Sequence, residues 1–369
     1  MIYFDHNATT PIDDRVLNAL LPFLTTFYGN PSSLYRHGRI ARSAIDAARE
    51  QVAALIGVQS SQVIFTSGGT EANNLALATL APQSRLAISA IEHPSITEPS
   101  LRLKNQGHEL AIINVDAHGL ITQDAIDKII KEKPALVSIM LANNETGVIQ
   151  DLVPHIQQLR ANGIIVHSDA VQALGKIPVS FNTLGVHLMS LSSHKIYGPK
   201  GCGALVFEKG VEIKPLFLGG GQEQELRAGT ENVAAIVGFG KAAELAQAEL
   251  AERSKRLLTL RKLLEDGLTT IPGLTIFAQQ ANRLPNTVQF GIPEIDGEML
   301  LMKLDQKGIA VSSGSACASG GSVPSSVLLA MGVEPDFAKS AIRISLGLAN
   351  TTTEILEFIN LLKALVCQA

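Results

Sequence analysis

The chain has 369 residues, of which 46% are hydrophobic and 17% are charged, so a long disordered protein is excluded. This length is typical of two domains, and a chain of this size buries a sufficient core without disulfides or metals. With 30 basic and 34 acidic residues the net charge is −4, and tryptophan is absent, which argues against partners such as nucleic acid or a membrane surface.

The N-terminus and the cysteines both favour a reducing, cytoplasmic setting. Polar residues 5–7 interrupt any apolar run at the start, which argues against a signal peptide, and no apolar run reaches the length of a membrane helix. Cys202, Cys317 and Cys367 are far apart and odd in number, so they predict neither a disulfide framework nor a metal site.

Short apolar runs alternate with helical patterns from about residue 15 to residue 250. Runs buried on both faces are typical of parallel sheets, so this part is predicted to be a large α/β domain with helices on both sides of the sheet. The predicted strands span residues 63–66, 85–90, 108–115, 135–141, 163–167, 188–191 and 204–207, and the predicted helices include 70–80, 122–131 and 151–161.

A long helical pattern over residues 231–269 connects this part to the rest of the chain. It is rich in good helix formers, and Gly238 and Gly240 are its weak points. Residues 1–14 and 251–369 are predicted to form a small α+β domain. Its predicted strands span residues 274–277, 287–290, 309–312 and 341–345, and its predicted helices span 297–306, 325–330 and 352–366.

Two segments that follow predicted strands could bind a ligand, because open α/β sheets bind ligands beyond the carboxyl ends of their strands. Residues 67–70 (SGGT) join a strand to a helix whose N-terminus could stabilise a phosphate. An ordinary turn with Thr70 as the helix N-cap is the favoured interpretation of this motif alone. Asp169 ends the run IIVHSD, where it either holds a cation or a protonated ring nitrogen, or caps a helix.

Lys195 and Cys317 are candidate nucleophiles. Lys195 follows the apolar run LMSL, where desolvation would lower its pKa and allow it to form a Schiff base; a solvated surface lysine is the alternative. Cys317 lies in the serine- and glycine-rich segment 312–322, which favours an exposed, reactive thiol over a surface cysteine without a role.

Arg343 and His93 are candidate ligand-binding residues. Arg343 lies inside the apolar run AIRIS and needs a partner, either a ligand carboxylate or an internal salt bridge. His93 lies at the end of a predicted strand, where it is either a structural residue or an aromatic plate for a ring-shaped ligand.

Ten sequence blocks stand in order along nearly the whole chain. The blocks are DHNATTP, GNPSS, FTSGGTEANN, EHPSI, NNETGVIQD, HSDAVQALGK, SSHKIYGPKG, GGGQEQELRAGT, VSSGSAC and IRISLG. Together they resemble those of the pyridoxal-phosphate-dependent cysteine desulfurases of the NifS/IscS type. Any one block is weak evidence, whereas ten in the family's order are highly specific. The serine-rich segment around Cys317 is similar to that of the long-loop subgroup.

The resemblance implies a fold-type I transferase in which residues 15–250 bind pyridoxal 5′-phosphate. Lys195 would carry the cofactor covalently, Asp169 would pair with the ring nitrogen and Gln172 would hydrogen-bond the phenolic oxygen. His93 would stack on the ring and relay protons. The remaining cofactor-binding residues would be Gly69, Thr70, Asn144, Ser192 and His194, together with Thr230 from the neighbouring subunit of a homodimer.

The resemblance also implies the reaction. Asn144 and Arg343 would hold the substrate L-cysteine, and Cys317 would attack the substrate sulfur and leave as a persulfide, with L-alanine as the second product. The sulfur would pass to an acceptor or iron–sulfur scaffold protein, for the synthesis of iron–sulfur clusters or other thio-cofactors.

Three departures from the family pattern are visible. Tyr35 stands where the family usually has histidine, and Gln222 and Gln224 replace the common histidine and arginine. None of these changes affects a residue that performs the chemistry. The sequence also stops at Ala369, whereas many housekeeping members have a further tail that docks scaffold proteins, which leaves the sulfur acceptor open.

Two alternatives stay open at the level of sequence. One is another enzyme on the same scaffold, such as a selenocysteine lyase or an aminotransferase, and the segment around Cys317 argues against the aminotransferase. The other is an inactive scaffold that only binds partner proteins, which the joint presence of Lys195, Asp169 and Cys317 argues against.

Overall fold

The computed structural model describes residues 1–313 and 323–366, so Cys317 and Cys367 lie outside the described residues. The strands are β1 (Ile2–Tyr3), β2 (Val63–Thr66), β3 (Arg85–Ser89), β4 (Glu109–Ile113), β5 (Leu136–Ser138), β6 (Ile165–Asp169), β7 (Leu188–Ser192), β8 (Gly203–Phe207), β9 (Thr275–Ile276), β10 (Thr287–Gly291), β11 (Ile309–Ala310), β12 (Ser312–Ser313) and β13 (Ile342–Ser345). The α-helices are α1 (Asp14–Leu20), α2 (Pro22–Thr25), α3 (Arg36–Ile56), α4 (Gly69–Leu77), α5 (Pro94–Asn105), α6 (Gln123–Glu132), α7 (Leu152–Ala161), α8 (Phe181–Leu184), α9 (Val233–Leu268), α10 (Gly297–Gln306), α11 (Ser326–Ala330), α12 (Pro335–Lys339) and α13 (Thr352–Val366).

A seven-stranded sheet with the order β2-β8-β7-β6-β5-β3-β4 forms the centre of the larger part. Strands β3 to β7 are parallel, which confirms the predicted mostly parallel α/β sheet. Strand β8 runs antiparallel to both β2 and β7, which the sequence analysis did not predict. The connection from β7 to β8, residues 193–202, is too short for the crossover that a parallel strand would need.

Helices cover both faces of this sheet, so its strands are apolar on both faces. In β2, for example, Val63 and Phe65 belong to one apolar cluster and Ile64 belongs to the cluster on the opposite face. Because β8 reverses direction between β2 and β7, the carboxyl ends of β2 and β7 lie at the same edge of the sheet. The residues that follow these strands are therefore brought together at this edge.

The second part of the structure is built on a four-stranded antiparallel sheet with the order β12-β13-β10-β9. Strand β1 at the N-terminus pairs in parallel with β11, and Phe4 packs in the same apolar cluster as Phe358. The strand predicted at 309–312 is wrong as one element, because β11 pairs with β1 whereas β12 pairs with β13.

The long helix α9 packs against both apolar clusters. Phe239 and Ala246 in its first half belong to the cluster under the large sheet, and Leu257 and Leu264 in its second half belong to the cluster under the small sheet. This change of partners supports a division near residue 250, which stays a prediction. Within residues 1–313 and 323–366, no helix is both long enough and apolar enough to cross a membrane.

Gly240 lies where α9 packs against α3, and a Cβ atom there would lie 2.6 Å from Ala48 Cα. Helix propensity alone predicts that Gly240→Ala stabilises the protein by about 1 kcal/mol. We expect the opposite, a fall of about 1–2 kcal/mol in the free energy of unfolding, because the two helix backbones would have to move apart. Denaturant unfolding of the variant measures this change.

Ala251→Gly on the exposed face of α9 is the matched control, and it should lose about 1 kcal/mol through propensity alone. A more stable Gly240→Ala variant would contradict the close packing of α3 and α9.

Candidate active site

A cavity of about 330 Å³ lies at the carboxyl edge of the seven-stranded sheet. Its walls come from segments that follow strands of the sheet, from the N-terminal residues 7 and 8, and from β13. Ten of the twelve site residues expected from sequence line this one cavity: Gly69, Thr70, His93, Asn144, Asp169, Gln172, Ser192, His194, Lys195 and Arg343. The topology therefore brings together residues that are far apart in the chain.

Two expected site residues are not in this cavity. Thr230 is exposed and lines a different cavity of about 180 Å³, together with Arg227 and Glu231. Cys317 lies outside the described residues. The strand that precedes its segment, β12, pairs with β13 such that Ser312 lies opposite Arg343 in the cavity wall.

Lys195 ends a short 3₁₀ turn, Ser193–Lys195, that follows directly on β7. Its amine donates hydrogen bonds to the main-chain carbonyls of Asn7 and Ala8, the latter at 2.7 Å. Burial and the positive charge of Arg343 lower the pKa of Lys195 to about 8, although Asp169 opposes this shift. The alternative of a solvated surface lysine is therefore wrong, and a far larger fraction of this amine is neutral near neutral pH than of an exposed lysine.

Asp169 is buried at the end of β6. One carboxylate oxygen accepts a hydrogen bond from the Val171 main-chain N–H at 2.9 Å, and the other accepts one from Asn73 Nδ2 at 2.8 Å. The residues after Asp169 form turns and not a helix, so the carboxylate caps a turn and still faces the cavity.

His93 is the N-cap of α5, because its Nδ1 accepts a hydrogen bond from the Ser95 main-chain N–H at 3.1 Å. Burial lowers the pKa of His93, so the ring is held neutral with its proton on Nε2. The side chain of His93 therefore has a structural role as a helix cap, and it also lines the cavity, where a ring-shaped ligand could contact it.

One end of the cavity is suited to an anion. Helix α4 begins at Gly69 with Gly68 as its N-cap, so the interpretation of Thr70 as the N-cap is wrong. A Cβ atom at Gly69 would lie 3.0 Å from Val171 Cγ2, so glycine leaves the helix N-terminus open to the cavity. Within the part of the chain that the structure describes, the buried Ser192 Oγ has no hydrogen-bond partner.

Arg343 forms the internal salt bridge that the sequence left as an alternative. Its Nη2 lies 2.7 Å from Asp5 Oδ1, and its Nη1 donates a hydrogen bond to the Asn144 main-chain carbonyl at 3.1 Å. Its Nε finds no partner among the described residues, so the guanidinium keeps donors for a ligand carboxylate.

Sequence reasoning assigned no role to several residues that line the cavity. Asn7 lies within the block DHNATTP, and it is bonded to Gln172 and Lys195 through its main-chain carbonyl. Membership of a family block was the signal that could have identified Asn7 and Asn73. The lining residues without an assigned role are Asn7, Ala8, Asn73, Ser95, Met140 and Val171.

Comparisons with known proteins identify the family of this chain. The family model for class-V aminotransferases matches residues 2–358. The chain is 43% identical to cysteine desulfurase IscS of Methanosarcina thermophila, over 96% of this chain and 89% of that relative. It is 41% identical to cysteine desulfurase IscS of Dictyoglomus turgidum, over 99% of this chain and 94% of that relative.

A solved NifS-like protein superposes on this structure with a TM-score of 0.94 at 39% identity, and the match covers 100% of both chains. The chain thus shares more than 40% identity with these two relatives over nearly its whole length, and it shares its fold with the NifS-like protein. Its cavity contains a half-buried lysine and a buried aspartate. The chain therefore belongs to the class-V aminotransferase family and, within it, to the pyridoxal-phosphate-dependent cysteine desulfurases.

Proposed function

We propose that this enzyme converts L-cysteine to L-alanine in the 330 Å³ cavity and leaves the sulfur as a persulfide on Cys317. One observation carries the proposal. The Lys195 amine, with its pKa lowered to about 8, shares this cavity with the buried carboxylate of Asp169 and with the anion-binding end at Gly69. An amine for the aldehyde, a carboxylate for the ring nitrogen and an anion site for the phosphate are the groups that would hold a phosphorylated pyridine aldehyde.

The chemistry of the lining residues fits pyridoxal 5′-phosphate. Ser192 Oγ, which has no hydrogen-bond partner in residues 1–313 and 323–366, and the N-terminus of α4 offer donors for a phosphate. Asp169 offers a carboxylate for a protonated ring nitrogen, and Lys195 offers an amine for the aldehyde. When bound, the cofactor supplies an electron sink for bond cleavage at the substrate Cα.

The residues of the chain position the substrate and move protons. We assign Arg343 and Asn144 to the substrate carboxylate, since Arg343 Nε has no partner in the described residues. Lys195 carries the proton at Cα, because a neutral amine with a pKa near 8 both accepts and returns a proton near neutral pH. The neutral ring of His93 is suited to stack on the cofactor and to relay a proton.

Cys317 performs the sulfur chemistry in this proposal. Its thiolate forms a bond to the substrate sulfur, the carbon–sulfur bond breaks, and the electron pair stays on the carbon, which is protonated to the methyl group of L-alanine. Cys202 is unsuited to this role, because burial raises the pKa of its thiol and disfavours the thiolate.

We further propose a cytoplasmic homodimer in which Thr230 reaches the phosphate site of the neighbouring subunit. Two features support this: Thr230 is exposed, and it does not line the cavity of its own chain. We assign the product sulfur to a protein acceptor, such as an iron–sulfur scaffold, because two similar relatives carry the name IscS.

Lys195→Ala should lower the rate of alanine formation by at least about 10²–10⁴-fold, because the proton at Cα loses its carrier. Alanine release from L-cysteine, followed by chromatography, measures the rate. Lys200→Ala, an exposed lysine of the same block, is the control and should retain activity. Alanine formation near the wild-type rate in Lys195→Ala would refute the assignment.

Cys317→Ser should separate the two halves of the reaction. The variant should still change its visible absorbance when L-cysteine is added, yet it should release no sulfide. Mass spectrometry of the wild type after L-cysteine should find one extra sulfur atom on the peptide that contains Cys317. Cys367→Ser is the control and should behave as wild type; sulfur found on Cys202 or Cys367 instead would disprove the mechanism.

The pH dependence of cofactor attachment should follow Lys195. Because only the neutral amine attacks an aldehyde, the rate at which apoenzyme combines with pyridoxal phosphate should rise with pH and level off above about 8. Arg343→Met removes a positive charge that lowers this pKa, so its curve should move to higher pH. Lys104→Met, a charge change on α5, is the control, and a shift to lower pH in Arg343→Met would contradict the electrostatic assignment.

A further inference from the structure

A second lysine lies beneath the cavity, and the mechanism above does not use it. Lys176 is only 6% exposed, and its amine donates hydrogen bonds to Asn7 Oδ1 at 2.8 Å and to Gln172 Oε1 at 2.7 Å. No carboxylate contacts this amine among the residues that the structure describes. A buried amine without an acidic partner is costly, and a methionine of similar length would fill the space without that cost.

The charged and titratable groups around Lys176 are positive or neutral. Lys195 and Arg343 act on it from the cavity side and, with burial, hold the pKa of Lys176 well below its usual range. His6 and Arg253 line a small cavity of about 10 Å³ on its other side. Burial, and after it Lys176, lower the pKa of His6 to about 4. An ion-pair role for Lys176 therefore has no support in its surroundings.

The contacts of Lys176 determine which way the Gln172 amide points. Gln172 Oε1 accepts from the Lys176 amine, so Gln172 Nε2 is the end that lies toward Asn7, where it donates to the main-chain carbonyl at 3.0 Å. A flipped amide would place its NH₂ group against the amine and its oxygen against a carbonyl. The contact with the Asn7 carbonyl would then be lost, and the contact with Lys176 would remain only through the lone pair of a neutral amine.

Lys176 also helps to hold the side chain of Asn7. Asn7 Oδ1 accepts from Lys176 and from Asn286 Nδ2 at 3.1 Å. Asn7 Nδ2 donates to the Asn144 main-chain carbonyl at 3.1 Å and to Thr287 Oγ1 at 2.9 Å. The main-chain carbonyl of the same residue accepts from Lys195. The two lysines are thus connected through one asparagine.

We propose that Lys176 is a positioning residue, whose amine orients the Gln172 and Asn7 amides so that Gln172 presents an N–H donor to the phenolic oxygen of the cofactor. This rests on the role proposed above for Gln172. A donor at the phenolic oxygen stabilises its ionised form, so the bound chromophore loses its proton at lower pH. Without Lys176 only the bond from Gln172 Nε2 to the Asn7 main-chain carbonyl holds the amide in this orientation, so its oxygen turns toward the cofactor more readily.

The test is a pH titration of the visible absorbance of the purified holoenzyme. Lys176→Met should move the midpoint upward by about 1–2 pH units, the effect of losing one hydrogen bond to an ionised group. Ser254→Ala is the matched control, because Ser254 Oγ donates to the main-chain carbonyl of Lys176 and the change leaves the amine intact. Its midpoint should equal that of the wild type.

Gln172→Met separates this inference from the role of Gln172 itself. Gln172→Met should shift the midpoint upward, and the double variant should shift it no further, because Lys176 acts through Gln172. An unchanged midpoint in Gln172→Met overturns the role of Gln172 and the inference with it. A shift in Gln172→Met without one in Lys176→Met, or full additivity in the double variant, overturns the inference alone.

Lys176→Gln provides the test if Lys176→Met does not fold. It retains a neutral donor on a shorter side chain, so its midpoint should lie between those of the wild type and Gln172→Met. A midpoint equal to that of the wild type would overturn the positioning role.

Discussion

The hydrogen bonds of Asn7 are the constraint on which the rest of the site depends. This residue is 1% exposed, and it is bonded both to strands of the four-stranded sheet and to the segments that follow β6 and β7 of the large sheet. Its N–H donates to Ser345 Oγ at 2.9 Å, while its carbonyl accepts from Lys195 and Gln172. Buried amide groups are costly to leave unpaired, so these bonds fix the N-terminal segment in one place. The Lys195 amine is held there as a result.

Three basic side chains lie close together in and beneath this cavity, and burial disfavours the charged form of the two lysines among them. Lys195, Lys176 and Arg343 lie close enough for each pKa of the two lysines to be lowered by its neighbours. The acidic groups that face them are Asp169 and Asp5, which is paired with Arg343. Desolvation and the neighbouring positive charge both lower the pKa of Lys195, so its neutral form becomes accessible near neutral pH without a dedicated base beside it.

The sequence predicted the elements with strong local patterns and missed those without them. Strand β2 and helices α10 and α13 were predicted at the observed bounds, because their apolar residues are large and regularly spaced. Helix α3 was not predicted, since much of its buried face is alanine, such as Ala41 and Ala48. Lys195 and Asp169 were singled out because they lie at the ends of apolar runs, and both line the cavity, although their roles stay predictions. Asn7 was not, because its bond to Ser345 joins residues 338 positions apart, which no local pattern reports.

The pairing of β1 with β11 has a consequence for folding. Ile2 pairs with Ile309, and Asn7 is bonded to Ser345, which lies 338 positions further along the chain. In the large sheet, Val63 of the edge strand β2 likewise pairs with the distant Val206. Contacts between distant segments form late and slow the folding of a chain. The Asn7 carbonyl that holds the Lys195 amine is therefore fixed only after β11 and β13 have been made, and a chain cut before these strands has no completed site for an aldehyde cofactor.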